Sequence, residues 1–141
     1  MENAPDSRII ELIERALKAR ENSYCPYSNY AVGACLEAED GSLYDGCNVE
    51  NASYGATNCA ERTAVFKAVS EGKKRFVRIA IAGGVKGQNP KDYAYPCGVC
   101  RQVLNEFADS SMEIIVAVST EIYEIKTLGE LLPDAFGPNN L

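Results

Sequence analysis

The sequence predicts an α/β fold in which one sheet of about five strands lies between helices. Helix-like and strand-like hydrophobic patterns alternate along the 141 residues in the order α-β-β-α-β-α-β-β. This length is sufficient for one domain with a substantial core, so we expect a single domain over residues 1–141. Hydrophobic residues make up 46% of the chain and charged residues 24%, which excludes disordered and collagen-like classes.

The first half of the chain predicts a helix followed by a hairpin. Its first apolar face consists of Ile9, Ile10, Ile13, Ala16 and Leu17. This helical spacing predicts a helix over about 7–21, with Asp6 or Ser7 as its N-cap. Two strands are predicted over 30–37 and 43–47, because Asp40-Gly41 between them is a strong hairpin signal.

The second half supplies the remaining elements. Alanine and valine recur at helical spacing after Cys59, which predicts a helix capped by Thr57 or Asn58. The apolar run 76–82 predicts a strand covered on both faces, and Pro96 predicts the start of another helix. The last elements are two strands and a short helix, predicted over 113–118, 121–126 and about 127–132.

Charge and composition exclude several classes of function. Lys and Arg number 14 against 20 Asp and Glu, so the chain carries a formal net charge of −6 and lacks the cationic surplus that binds polyanions. Long nucleic acids and anionic membranes are therefore disfavoured as partners. The chain has no histidine, which excludes Ser–His–Asp and Cys–His mechanisms and imidazole metal ligands. Acid–base chemistry near neutral pH would then need a carboxylate or a perturbed Cys, Tyr or Lys.

The cysteines are expected to be reduced. The N-terminal segment is charged and has no apolar signal core, so we expect a cytoplasmic protein in which disulfides are disfavoured. The six cysteines are then buried thiols, metal ligands or catalytic groups. For Cys25, Cys35 and Cys47 we favour small buried side chains.

Two motifs with cysteine lie at predicted helix starts. The C-x-x-C pair Cys97–Cys100 is compatible with a redox dithiol, two ligands of a zinc site or packed thiols, and the absence of a thioredoxin-like context weakens the redox interpretation. Cys59 begins another helix, and helix N-termini stabilise thiolates. Two helix starts can therefore gather three thiolates around one Zn²⁺, which leaves the open fourth position of a catalytic site.

Glu61 lies two residues after Cys59, where a carboxylate can exchange a proton with a water beside the metal. A lone Glu in a first helical turn is usually a surface residue, but C-x-E together with P-C-x-x-C is the Cys₃ form of the zinc deaminase signature.

Several segments together resemble the small cytidine deaminase family. They are CPYS at 25–28, VGA at 32–34, GCNVENA at 46–52, CAERTA at 59–64, PCGVCRQ at 96–102 and ELLPDAF at 130–136. The two zinc motifs mark the deaminase superfamily, and NVEN at 48–51 narrows it to enzymes that act on free nucleosides.

The resemblance implies a three-layer α/β/α sandwich with a mixed sheet, and a homotetramer with active sites shared between subunits. It implies hydrolytic deamination of cytidine and 2′-deoxycytidine to uridine and 2′-deoxyuridine, a step of pyrimidine salvage. Cys59, Cys97 and Cys100 would bind one Zn²⁺ per chain, which activates water to attack C4 of the base. Glu61 would protonate N3 and then the leaving ammonia.

The resemblance also assigns substrate contacts. Asn48 and Glu50 would bind the ribose 3′-hydroxyl, and a backbone N–H near Ala60 would bind the base carbonyl. Phe136 of a neighbouring subunit would close over the base. Tyr30 stands where the family commonly has Phe, so its ring would stack on the base and its hydroxyl can alter the choice of substrate.

Charge counting adds a hypothesis about Arg62. Zn²⁺ with three thiolates is net negative, which weakens its action as a Lewis acid. We therefore hypothesise that Arg62 donates hydrogen bonds to the thiolates, with Gln102 as a further donor. The alternative for Arg62 is a solvated arginine paired with a carboxylate.

Two alternative functions stay open at this point. One is a related deaminase of a nucleoside antibiotic such as blasticidin S. The other is a non-catalytic module that zinc stabilises. A polynucleotide editor is disfavoured, because the chain is acidic and has no basic stripe.

Overall fold

The computed structural model describes residues 6–141, so residues 1–5 of the predicted domain lie outside it. The helices are α1 Ser7–Ala19, α2 Ala60–Ser70, α3 Gly98–Phe107 and α4 Leu128–Leu131. The strands are β1 Tyr30–Ala38, β2 Leu43–Cys47, β3 Phe76–Val85, β4 Glu113–Ala117 and β5 Tyr123–Thr127. The predicted order of elements is confirmed.

The five strands form one mixed sheet in the order β2-β1-β3-β4-β5. β3 and β4 are parallel, with α3 in the connection between them, and the other neighbours are antiparallel. Because side chains alternate along a strand, Ile79 and Ile81 of β3 face the core formed with α2 and α3. Ala80 and Ala82 face the opposite core, formed with α1. The result is the predicted sandwich, with α1 on one face of the sheet and α2 and α3 on the other.

The first helix begins as predicted, because the Asp6 side chain accepts a hydrogen bond from the Arg8 N–H. The predicted N-cap of α2 is wrong: α2 begins at Ala60, and Cys59 is the N-cap in place of Thr57 or Asn58. Asn58 is held extended by two backbone hydrogen bonds with Val49, each 2.9 Å long. The pairing with Val49 therefore places the N-cap of α2 at Cys59 rather than at Asn58.

Two other predicted boundaries also shift. α3 begins at Gly98 rather than Pro96, because the Cys97 sulfur caps the helix by accepting from the Cys100 N–H at 3.5 Å. β5 begins at Tyr123 rather than 121, because the chain first turns at Ser119, whose hydroxyl accepts from the N–H of Ile122 at 3.0 Å.

Candidate metal centre and active site

Three cysteines converge where α2 and α3 begin. Cys59 and Cys97 are the N-caps of the two helices, and Cys100 lies in the first turn of α3. The three sulfur atoms lie within 4.8 Å of one another. The sulfur atoms of Cys59 and Cys97 are 3.7 Å apart. The fold thus brings the two cysteine motifs together although 38 residues separate Cys59 from Cys97.

This donor set fits zinc. Tetrahedral zinc with Zn–S bonds of about 2.3 Å requires sulfur atoms roughly 3.8 Å apart, which matches the Cys59–Cys97 distance. Cys35 is no candidate for a fourth ligand, because it lies in the α1 core on the opposite face of the sheet. Three sulfur ligands therefore leave one position for water or substrate.

Hydrogen bonds prepare Cys59 to ionise. The Cys100 thiol donates to Cys59 and, with smaller contributions from Arg62 and Cys97, lowers the pKa of Cys59 to about 5 against the opposing effect of burial. The pKa of Cys100 is correspondingly raised, because its proton is held by Cys59 and its sulfur is buried. A thiolate is the form that binds metal, so the cluster already favours one anionic ligand.

Arg62 lies against these sulfur atoms. Its Nη2 donates to the Cys59 sulfur at 3.3 Å. Burial alone would lower the pKa of Arg62, but its contacts with Cys59 and Cys100 raise it instead, so the guanidinium stays charged. Within residues 6–141 its buried Nε has no hydrogen-bond partner. Among the described residues, the hydrogen bond of this guanidinium is therefore directed to the cysteine cluster.

Gln102 has a different partner from the one hypothesised. Its Nε2 donates to the Phe136 carbonyl at 2.8 Å, and Asn105 donates to the same oxygen at 3.0 Å. Among the described residues, Gln102 makes no hydrogen bond to a cysteine sulfur. The amide fixes the C-terminal segment to α3, because the chain returns there and presents a carbonyl.

Glu61 lies in the first turn of α2 with only 4% of its surface exposed. Burial raises the pKa of Glu61 to about 7, and the nearby Cys59 adds to this effect. Glu61 lines a cavity of about 270 Å³ that Cys59 and Cys97 also line. A larger cavity of about 660 Å³ lies beside Arg20 and Lys86, but it contains none of the predicted site residues. We therefore assign the chemistry to the smaller cavity.

Asn48, Tyr30 and Ala60 line the same cavity. The Asn48 oxygen accepts from the Val32 N–H at 2.9 Å and the Ser23 hydroxyl at 2.5 Å, while its Nδ2 donates to the Tyr30 carbonyl at 2.8 Å. A side-chain amide has two N–H donors, so Asn48 fixes the start of β1 and keeps one donor for a ligand.

Glu50 and Phe136 do not line this cavity. Glu50 accepts hydrogen bonds from the N–H groups of Tyr27 and Ser28 at 3.0 and 3.1 Å. Phe136 is 60% exposed. Five lining residues were not predicted as site residues: Val32, Thr57, Ile81, Ala94 and Tyr95. For Ala94 and Tyr95 the only signal in the sequence is that they directly precede the motif at Pro96.

Two glycines determine how closely the helices approach the sheet. A Cβ atom at Gly46 of β2 would lie 2.4 Å from the Ala60 carbonyl and 2.6 Å from the Ala64 nitrogen of α2. A Cβ atom at Gly33 of β1 would lie 2.0 Å from the Ala16 carbonyl of α1. Both positions therefore exclude a side chain, but only Gly46 packs against α2, which has Cys59 as its N-cap and contains Glu61.

Replacing Gly46 by Ala should lower zinc affinity about tenfold, because the clash displaces the first turn of α2 with Cys59 and Glu61. Gly33→Ala is the matched control. Both variants should lose roughly 1–3 kcal/mol or more in the free energy of unfolding of the metal-free protein. Chelator competition should show weaker zinc binding for Gly46→Ala alone, and equal affinities in the two variants would contradict the prediction.

No helix in the described range 6–141 combines the length and the apolar character needed to cross a bilayer.

Comparisons with known proteins agree with this geometry. Residues 6–117 match the family model of the cytidine and deoxycytidylate deaminase zinc-binding region. The cytidine deaminase of Sporosarcina psychrophila is 47% identical over 131 residues, which cover 93% of each chain. That of Halalkalibacterium halodurans is 49% identical over 126 residues, or 89% of this chain and 91% of the relative.

A solved structure gives the same result. The crystal structure of cytidine deaminase from Burkholderia pseudomallei superposes with a TM-score of 0.80 at 46% identity, covering 89% of this chain and 97% of that one. The family model spans well over half of the chain, and it includes all three clustered cysteines and Glu61. The chain therefore belongs to the cytidine and deoxycytidylate deaminase zinc-binding family.

Proposed function

We propose that this protein is a zinc-dependent cytidine deaminase, which hydrolyses cytidine and 2′-deoxycytidine to uridine and 2′-deoxyuridine and releases ammonia. The observation that carries the proposal is that the buried residue Glu61 lines the same cavity as Cys59 and Cys97 of the cysteine cluster. The relatives named cytidine deaminase at 47% and 49% identity support the choice of substrate.

Cys59, Cys97 and Cys100 would hold the zinc ion, which supplies a Lewis acid that makes water nucleophilic at neutral pH. Glu61 moves the protons. It takes one proton from the water that attacks C4 and delivers it to N3 of the base. It then takes the remaining proton of the new C4 hydroxyl group and gives it to the amino group, which leaves as ammonia when the C4–N bond breaks and the carbonyl forms. A pKa of about 7, raised by burial, suits a group that must both accept and donate a proton near neutral pH.

Other residues of the cavity orient the nucleoside. The N–H of Ala60 belongs to the first turn of α2, where backbone N–H groups have no intrahelical acceptor, so it can donate to the base carbonyl. The Tyr30 ring provides a surface for the base, and the remaining Asn48 N–H reaches the sugar.

We further propose a single-domain, cytoplasmic homotetramer in which neighbouring subunits complete each site. The location of Phe136, exposed and outside the cavity of its own chain, supports its use by a neighbour. All six cysteines are free thiols, which suits a reducing compartment. The net charge of −6 argues against long nucleic acids and anionic membranes as partners.

Light scattering of the purified protein tests the oligomeric state and should give the mass of four chains.

A direct assay tests the function. The purified protein should contain about one zinc ion per chain and should convert cytidine, with the ultraviolet change of uridine formation. A strong chelator should abolish turnover, and added Zn²⁺ should restore it. Turnover of blasticidin S but not of cytidine would favour the antibiotic deaminase, and bound zinc without any turnover would favour a structural module.

Replacing Glu50 by Ala should lower kcat/KM for cytidine by a factor on the order of ten to a hundred, because a hydrogen bond from the 3′-hydroxyl to a carboxylate contributes about 1.5–3 kcal/mol. The loss should shrink for 2′,3′-dideoxycytidine, which has no 3′-hydroxyl. Glu14→Ala, at an exposed position of α1, is the control. Equal losses on both substrates would show that Glu50 only fixes the backbone at Tyr27 and Ser28.

A further inference from the structure

Tyr95 forms part of the wall of the candidate active site. It lines the cavity together with Glu61 and Cys97, and it lies two residues before Cys97 along the chain. Its neighbour Ala94 also lines the cavity but has only a methyl group. Tyr95 is therefore the one large side chain that the segment before the C-x-x-C pair adds to this wall.

A hydrogen bond to a distant strand fixes the position of Tyr95. Its hydroxyl donates to the Glu124 carboxylate of β5. Across residues 6–141, the stretch 89–96 makes no backbone–backbone hydrogen bond. Its polar contacts with the rest of the protein are the Tyr95–Glu124 bond and a bond from Arg101 Nε to the Pro96 carbonyl at 2.8 Å. Tyr93 and Ala94 pack against the core, and the Tyr93 and Tyr95 rings meet edge to face with centroids 6.3 Å apart. The Tyr95–Glu124 bond is therefore the contact that fixes the hydroxyl end of the Tyr95 side chain.

The chemistry of the base indicates which part of the substrate meets Tyr95. C4 of cytosine lies between N3 and C5 in the ring. If Glu61 on α2 serves N3, a base bound in this way would turn its C5 edge away from Glu61 and toward the segment that ends at Cys97, where α3 begins. Tyr95 is the bulky group on that segment.

We propose that Tyr95, held in place by Glu124, determines specificity by closing the cavity beside the C5 edge of the base and excluding nucleosides with a substituent at C5. This inference rests on the proposed deaminase function. Tyr95 acts by contact with the substrate, and Glu124 is a positioning residue.

The test compares kcat/KM for 5-methylcytidine with that for cytidine in the parent and in variants. Tyr95→Ala should raise this ratio about 10-fold or more, because space for one methyl group is worth roughly that much discrimination. Tyr95→Phe keeps the ring and removes the hydroxyl, so it should raise the ratio by a smaller factor. Tyr44→Phe is the control, since that residue lies in β2, does not line the cavity and should leave the ratio unchanged.

A double-mutant cycle tests the role of Glu124. Glu124→Ala should reproduce the ratio of Tyr95→Phe, and the double variant should add nothing, because both changes remove the same hydrogen bond. Parental ratios in Tyr95→Ala, or in both Tyr95→Phe and Glu124→Ala, with cytidine still deaminated, would overturn this inference alone. A parent protein that deaminates neither substrate would overturn the proposed function and the inference together.

Discussion

Glu61→Gln should reduce kcat for cytidine by at least ~10²–10⁴-fold, the usual contribution of a general acid–base group, and by more if one carboxyl group serves several proton transfers. The substitution keeps the size of the side chain and its ability to form hydrogen bonds, but it removes the group that carries the proton. Zinc content should stay near one ion per chain, because the ligands are Cys59, Cys97 and Cys100. Measurements of kcat and of bound zinc on the same preparation test both statements.

Glu71→Gln is the matched control, since Glu71 is an exposed glutamate at the other end of α2. It should retain parental zinc content and kcat. If Glu61→Gln instead loses its zinc, Glu61 supports the metal site rather than proton transfer. If it turns over cytidine within tenfold of the parent, the proton-transfer role is wrong.

The sequence predicts the cysteine cluster because helix starts are local features. Cysteine motifs at two such starts, together with the chemistry of thiolates, are sufficient to expect a metal site. The exact start of α2 is less predictable. Asn58 has the side chain of a typical N-cap, but its backbone pairs with Val49, nine residues away, and the cap falls on Cys59. Tertiary contacts here override a local preference.

Long-range side-chain partners are the part that no pattern in one sequence reveals. Tyr95 and Glu124 are 29 residues apart, and Gln102 and the Phe136 carbonyl are 34 residues apart. Neither pair has a spacing that a helix or a hairpin would impose. The position of Gln102 in the motif suggests a cysteine partner, but the path of the C-terminal segment decides which acceptor the amide meets.

Arg62→Ala should weaken zinc binding by about 10–100-fold and lower kcat by a similar factor at equal zinc occupancy. The parent places Arg62 Nη2 3.3 Å from the Cys59 sulfur, where it offsets the charge of the anionic cluster. Without the guanidinium, three thiolates around one Zn²⁺ keep a net negative charge that a nearby cation no longer balances. Chelator competition measures the affinity, and assays with saturating zinc separate it from turnover.

Two further variants distinguish charge from geometry. Arg15→Ala removes a guanidinium that is paired with Asp45 and distant from the cluster, so it should leave zinc affinity unchanged. Arg62→Lys keeps the charge but not the planar fork of donors, so it should recover part of the affinity and less of kcat. If Arg62→Ala binds zinc and turns over cytidine like the parent, the N–H groups at the starts of α2 and α3 must balance the thiolate charge by themselves. A full recovery by Arg62→Lys would show that charge alone, rather than a directed hydrogen bond to Cys59, is what the cluster requires.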